Sequence, residues 1–141
     1  ALAAQLSLPF YDADDFHPAE NIAKMSQGIP LNDNDRKPWL EALASKLTES
    51  KAGGGCVLAC SALRESYRKI LRVDSSVKWI HLKGDRDLIW ARMLARKNHY
   101  MKAEMLDSQF ATWEEPAYGL KLSIDQTPKE MLQEALSYLD K

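Results

Sequence analysis

Apolar positions along the chain fall into four short runs, separated by longer stretches in which they recur at helical spacing. Leu8-Pro9-Phe10-Tyr11-Asp12 reads as a strand that ends in an acidic cluster. Cys56-Val57-Leu58-Ala59-Cys60 is apolar at every residue, which predicts a strand covered on both faces. Val77 to Leu82 predicts a third strand, closed by Lys83-Gly84-Asp85, and Leu120 to Ile124 a fourth. Pro18 to Ser26 predicts a short helix with proline at its first position and Gly28 beyond its end. Asp35 to Ser50 places Trp39, Leu40, Leu43 and Leu47 on one helical face. Leu63 to Arg72 does the same with Tyr67, Ile70 and Leu71, and Asp85 to Lys97 with Leu88, Ile89, Met93 and Leu94. Lys102 to Thr112 and Pro128 to Leu139 complete the helices. Strands alternating with helices imply βαβ units, so the fold class is α/β, a parallel sheet with helices on both faces.

Ala1 to Leu6 has the spacing of an amphipathic helix but no N-cap before it. A doubly wound sheet commonly opens with a central strand. A first strand is therefore expected to precede this sequence.

Composition narrows the function classes. The 141 residues suit one domain, with 45% hydrophobic and 28% charged side chains. Nineteen basic against twenty acidic groups leave a formal charge of −1, which argues against a sequence-independent nucleic-acid surface. No apolar run approaches the ~20 residues of a membrane helix. Cys56 and Cys60 lie four apart, on one strand face but about 13 Å from each other along it, so they cannot pair. They read as buried, reduced thiols, and the protein is expected to be soluble and cytoplasmic.

Four stretches carry candidate chemistry. Asp12 and Asp14 follow the first strand at its carboxyl end, where open α/β sheets bind ligands. Two carboxylates there suit a water-held divalent cation and a proton acceptor, with His17 nearby; equally, Asp14 or Asp15, ahead of Pro18, suits the cap of the following helix. Asn32-Asp33-Asn34-Asp35-Arg36-Lys37-Pro38-Trp39 reads as a capped helix start, Asp33 or Asp35 being the cap and Pro38 lying in the first turn. It sets Arg36 where the macrodipole already favours anions, and Trp39 reads as core. Arg64, Arg68 and Arg72 recur every four residues as one basic stripe. For Arg68 and Arg72 that implies a solvated face, whereas Arg64, just after a strand, is a ligand candidate. Arg92 to Lys97 gathers cations at a helix end, suited either to the dipole or to a lid over phosphates. Gly53-Gly54-Gly55 lacks the GxxxxGK[ST] spacing and precedes a strand, so it reads as a flexible connection.

Taken together, YDADDFHP, NIAKMSQGIPLNDNDRKPWL, CSALRESYR, HLKGDRDLIWARMLARKNHYM and MLDSQFATWEEP resemble the blocks of the gluconate kinases, in that family's order. SIDQTP resembles the family's last strand and loop. These are small P-loop enzymes that phosphorylate D-gluconate with ATP. The resemblance implies a parallel sheet of the nucleoside-monophosphate-kinase type in a single kinase domain over residues 1–141, with a lid near 94–112. It also implies that the central first strand and its Walker A loop lie outside this sequence.

The resemblance further implies roles. Asp14 would take the proton of, or orient, the attacking gluconate hydroxyl, and Asp12 would bind Mg²⁺ through water. His17, Lys24 and Arg36 would hold the sugar acid, with Arg64 lining the same pocket. Arg92 would lie against adenine, Arg96 would come from the lid to the transferring phosphoryl, and Asp125-Gln126-Thr127-Pro128 would form the adenine loop. ATP and Mg²⁺ are the implied cosubstrate and metal. No nucleic acid or membrane partner is implied, and the assembly is left between monomer and homodimer. The competing readings are a non-catalytic sugar-acid binding module, a related small-molecule kinase such as one acting on shikimate, and a metal-dependent hydrolase built on Asp12, Asp14 and His17. The DxDxxH and PLNDxDRxPW blocks argue against the shikimate alternative.

Overall fold

The computed structural model describes residues 2–29, 31–95 and 103–140. In chain order the elements are α1 (Leu2–Leu6), β1 (Phe10–Asp12), a 3-10 turn (Ala13–Phe16), α2 (Ala19–Ser26) and α3 (Asp33–Lys51). Then follow β2 (Val57–Ala59), α4 (Glu65–Leu71), β3 (Ile80–Lys83), α5 (Arg86–Leu94), α6 (Ala103–Thr112), β4 (Leu120–Ser123) and α7 (Pro128–Leu139). Each predicted element is present, usually shorter than its pattern.

The start of α3 differs in an informative way. Asn32, not Asp33 or Asp35, is the N-cap: its side chain accepts from the Asp35 N–H at 2.8 Å. The Asp35 carboxylate accepts in return from the Asn32 N–H at 3.0 Å, a reciprocal capping box. The helix therefore starts at Asp33, and Pro38 falls beyond the first turn, where it deprives the Asn34 carbonyl of its usual donor. At the other end of the chain Thr127 and Glu130 form a second capping box, with Pro128 in the first turn of α7.

The four strands form two parallel pairs. β1 runs beside β2, with Phe10, Tyr11 and Asp12 opposite Val57, Leu58 and Ala59. β3 runs beside β4, from Ile80 opposite Leu120 to Lys83 opposite Ser123. The two-sided cover predicted for the Cys56–Cys60 strand is incomplete. Val57 and Leu58 are half-buried and Ala59 is exposed, because among the described residues β2 has one strand neighbour only. Cys56 and Cys60 are likewise half-buried instead of buried, and both are free thiols. Cys60 still packs against the core, and desolvation pushes its thiol up to about 12, so it is protonated and inert at neutral pH.

The core lies under the carboxyl ends of β1 and β2. Ala13, Trp39, Leu40, Leu43, Ala62, Tyr67 and Leu71 form it, drawn from the 3-10 turn, α3, the segment joining β2 to α4, and α4 itself. Trp39 is core, as predicted, and its indole N–H donates to the Ala13 carbonyl at 2.7 Å. That bond ties the 3-10 turn to α3, and burying such an indole contributes on the order of 3 kcal/mol. Arg68 corrects the solvated-stripe reading: it faces inward and is 1% exposed. The stripe fails because the α4 face that carries Arg68 packs against α3 and the segment after α6, where buried carbonyls accept its protons.

Beside β3 and β4 lies a second cluster, in which Tyr118 packs edge-on to Trp79 and to His81, at 6.0 and 5.7 Å. Gly119 has φ +80°, and a Cβ there would meet the Trp79 carbonyl oxygen at 2.7 Å, so this close approach requires glycine. Among the described residues no helix is long and apolar enough to cross a membrane.

Candidate active site

Because β1 and β2 are parallel, the acidic cluster and the Ser61–Arg64 segment emerge at the same end of the pair. That is the crevice in which open α/β sheets place their ligands. Neither Asp14 nor Asp15 caps α2: its N-cap is Pro18, with no side-chain cap bond, because both aspartates are taken up in the 3-10 turn. Asp12 instead caps that turn, its Oδ1 accepting from the Asp14 N–H at 3.0 Å. The Asp14 side chain is 49% exposed, and His17 Nε2 lies 3.9 Å from its Oδ1.

His17 is the buried counterpart of that pair. Its side chain is 3% exposed, and its ring stacks on Trp39 at 4.2 Å and 13°. Nδ1 lies 3.1 Å from the Asn21 side-chain nitrogen. Burial lowers the imidazole pKa below its ordinary value; Asp14 opposes the shift and Arg36 adds to it. His17 is therefore neutral at neutral pH.

The cations come from α2 and α3. Lys24 reaches both oxygens of Asp35 at 2.9 Å. The Asn32 N–H, and after it Lys24, hold the Asp35 carboxyl below its ordinary value. Lys24 is thus anchored to the α3 capping box and keeps one of its three protons for a ligand. Arg36 Nη1 donates to the Tyr67 hydroxyl at 2.9 Å, and the guanidinium lies over the Tyr67 ring at 5.2 Å. The Tyr67 hydroxyl in turn donates to Asp33 at 2.5 Å. This chain of contacts holds a half-buried guanidinium by one edge, leaving Nε and Nη2 to grip a carboxylate.

Arg64 is exposed at the start of α4. It is the N-cap residue of that helix but its side chain makes no capping bond; the Glu114 side chain accepts from the Glu65 N–H instead, at 2.8 Å. The structure thus brings Asp14, His17, Lys24 and Arg36 together above one core, with Arg64 one turn from Tyr67.

The residues predicted for the nucleotide are less gathered. Arg92 is exposed in the last turn of α5. Asp125 to Pro128 join β4 to α7, and there Gln126 donates to the Ser123 carbonyl at 2.8 Å while Thr127 caps the helix. No described contact links Arg92 to that loop. Arg96 and the middle of the predicted lid lie outside the described residues. A cavity of about 440 Å³ runs along α7 past Gln126, Glu130 and Tyr138, apart from the Asp14 cluster. Asn21, Asp33 and Tyr67 were not predicted as site residues. Tyr67 read as core from its periodicity, and it is 4% exposed; its hydroxyl alone belongs to the site.

Among the described residues no three His, Cys, Asp or Glu side chains converge as a direct metal cage. Asp12 keeps one carboxylate oxygen free of the cap, and a single carboxylate suits Mg²⁺, which retains most of its waters.

A pH prediction follows from the two buried imidazoles. His81, 8% exposed, is also lowered, first by desolvation and then by Arg68. Below the unfolded value of about 6.5 the unfolded chain binds protons that the native histidines refuse, so the native state loses stability as pH falls. The melting temperature should drop between pH 7 and 5, and a flat profile over that range would contradict the assignment.

No family model matches the chain. Individual proteins do. The thermoresistant gluconokinase of Escherichia coli is 40% identical over 146 residues, an alignment covering 99% of this chain and 83% of that protein. Among solved structures, an unliganded sugar kinase from a Janibacter species superposes with a TM-score of 0.90 at 42% identity, over 99% of this chain and 83% of the other. A gluconokinase from Sinorhizobium meliloti superposes with a TM-score of 0.86 at 36% identity, over 99% and 81%.

Proposed function

The chain belongs to the gluconokinase family, and from that premise we propose that it transfers the terminal phosphoryl group of ATP to a hydroxyl of D-gluconate, giving 6-phospho-D-gluconate and ADP. The observation that supports this reading most is the convergence of an exposed carboxylate, a neutral imidazole and two anchored cations at one strand end. A sugar acid offers hydroxyls to the first two groups and a carboxylate to the others.

In this mechanism Arg36 takes the gluconate carboxylate with its free edge, helped by the spare proton of Lys24 and by Arg64. The chain of hydroxyls then runs toward Asp14. The attacking hydroxyl gives its proton to Asp14 as its oxygen forms the new bond to phosphorus, and the bond from phosphorus to the ADP oxygen breaks. His17 holds the same hydroxyl. The half-buried Arg36 and the buried His17 side chain are each held by two contacts, so the acceptor is placed with little reorganisation. Asp12 would hold Mg²⁺ through water, and the ion would supply charge neutralisation on the phosphates. Arg92 and the Asp125–Pro128 loop are proposed for the adenine, Arg96 for the transferring phosphoryl, and 94–112 for the lid, on the resemblance alone. We place the enzyme in the cytoplasm, consistent with its free thiols. Its assembly, monomer or homodimer, is open to sedimentation.

The reading is tested with Mg-ATP and D-gluconate, detecting 6-phosphogluconate through its dehydrogenase. Turnover supports it. Gluconate binding without turnover would favour a sugar-acid binding module, and neither would overturn the substrate. Arg36→Ala should raise the KM for gluconate by roughly 10- to 100-fold, the loss of a charge-assisted fork, while the KM for ATP moves little. An unchanged gluconate KM removes Arg36 from the pocket.

A further inference from the structure

We infer that Asn21 is a positioning residue for the sugar-acid site, its side-chain amide fixing His17 in the neutral form that carries its proton on Nε2, directed toward Asp14. The inference rests on the reading of Asp14 and His17 as contacts of one substrate hydroxyl.

Asn21 is 2% exposed, and both protons of its side-chain nitrogen have partners. The nitrogen donates to the Asp35 backbone carbonyl at 2.8 Å, and since a carbonyl only accepts, the orientation of the amide is settled. The second N–H of that nitrogen is 3.1 Å from His17 Nδ1. Nδ1 must therefore accept and carries no proton. A ring turned over would put a carbon there and leave a buried N–H unpaired. Trp39 prevents the ring from swinging away, stacked at 4.2 Å and itself held by the Ala13 carbonyl. The proton of a neutral His17 then resides on Nε2.

The groups facing His17 give this choice its consequence. They are Asn21 from α2, Arg36 from α3 and Asp14 from the 3-10 turn. Nε2 stands 3.9 Å from Asp14 Oδ1, too far for a direct hydrogen bond but the right span for an oxygen that touches both. A hydroxyl there donates its proton to Asp14 and accepts one from Nε2, which leaves its remaining lone pair as the nucleophile. With the proton on Nδ1, two acceptors would face each other and the hydroxyl could satisfy only one. Asn21 thus decides whether Asp14 and His17 act on one oxygen or compete for one proton. It does so without touching substrate.

The test reads the imidazole directly. The chain has three histidines, so in protein labelled with ¹⁵N-histidine the His17 ring signals are those missing from His17→Gln. At neutral pH the wild type should show a bare Nδ1 and a protonated Nε2; a protonated Nδ1 overturns the inference. Asn21→Asp replaces the donor by an acceptor and should move the proton to Nδ1, with the gluconate Kd rising about tenfold, the loss of one good hydrogen bond. Because that carboxylate also faces the Asp35 carbonyl, Asn21→Ala is measured beside it, and there both neutral forms should be populated. A His17 that stays wholly in the Nε2–H form in both variants overturns the positioning role. The two readings fail separately: a wild-type Nε2–H form whose signals gluconate does not move would sink the sugar-acid reading while leaving the tautomer assignment standing.

Discussion

Asp14→Asn is expected to lower kcat by roughly 10²- to 10⁴-fold, the range over which a positioned general base accelerates a proton transfer. The substitution keeps the shape of the side chain and removes only its capacity to take a proton. The expectation rests on the division of labour at the end of β1. Asp12 spends an oxygen on the Asp14 N–H and so builds the 3-10 turn, whereas the Asp14 carboxylate makes no hydrogen bond to a described residue. Folding therefore depends on Asp12 more than on Asp14, and Asp14→Asn should melt within about 0.5 kcal/mol of wild type, as ordinary surface changes do. The KM for ATP should be nearly unchanged, and the gluconate KM should rise by no more than a few fold. Retained turnover in a folded variant would remove the base. If instead a large loss of melting temperature accompanied the loss of rate, Asp14 would be a structural residue of the turn.

How much of this was legible in the sequence depends on the kind of signal. Helices and strands declared themselves by period, since one buried face recurs every 3.6 or 2 residues. The strand ends were legible too, because a parallel pair gathers its carboxyl termini and the acidic cluster follows one of them. What period cannot tell is which polar atom meets which. Asn32 displaced the aspartates as the cap of α3 because Asp35 gains both the Asn32 N–H and Lys24. Trp39 was recognisable as core, but not as the wall against which His17 stacks. Tyr67 looked like another core aromatic, and only the folded α3–α4 pair shows its hydroxyl between Arg36 and Asp33. Arg68 was misread because a charge every fourth residue is the pattern of a solvated face, and nothing local marks the middle member as the one turned inward.

That inward turn makes the second large prediction. Arg68→Leu should destabilise the protein by about 3–5 kcal/mol, the usual cost of breaking a buried charged network from one side. With roughly 3 °C lost per kcal/mol for a chain of this size, the melting temperature should fall by about 10 °C or more. Replacing a buried ion pair by apolar groups is sometimes neutral, so the nature of the partners decides the sign. Here two of them are backbone carbonyls that no single substitution removes: Ala62 accepts from Nη1 at 2.8 Å and Glu114 from Nη2 at 2.7 Å. Leucine would leave both unpaired, and it would also strip Glu65 of a partner at 3.1 Å and Trp113 of the cation over its ring at 5.5 Å. The Ala62 carbonyl matters in a second way. Ala62 is a non-glycine residue at φ +35°, a conformation that costs on the order of 1–3 kcal/mol and persists only where its surroundings enforce it. It stands between β2 and Arg64, so the guanidinium that holds its carbonyl also fixes the direction in which the chain enters α4. Arg68→Lys separates charge from geometry: an ammonium keeps the charge but cannot span two carbonyls and Glu65 as a planar fork. It should recover less than half of the lost stability and still raise the gluconate KM through Arg64. Full recovery by lysine would mean that buried charge alone holds the junction, and the geometric role of the fork would fall.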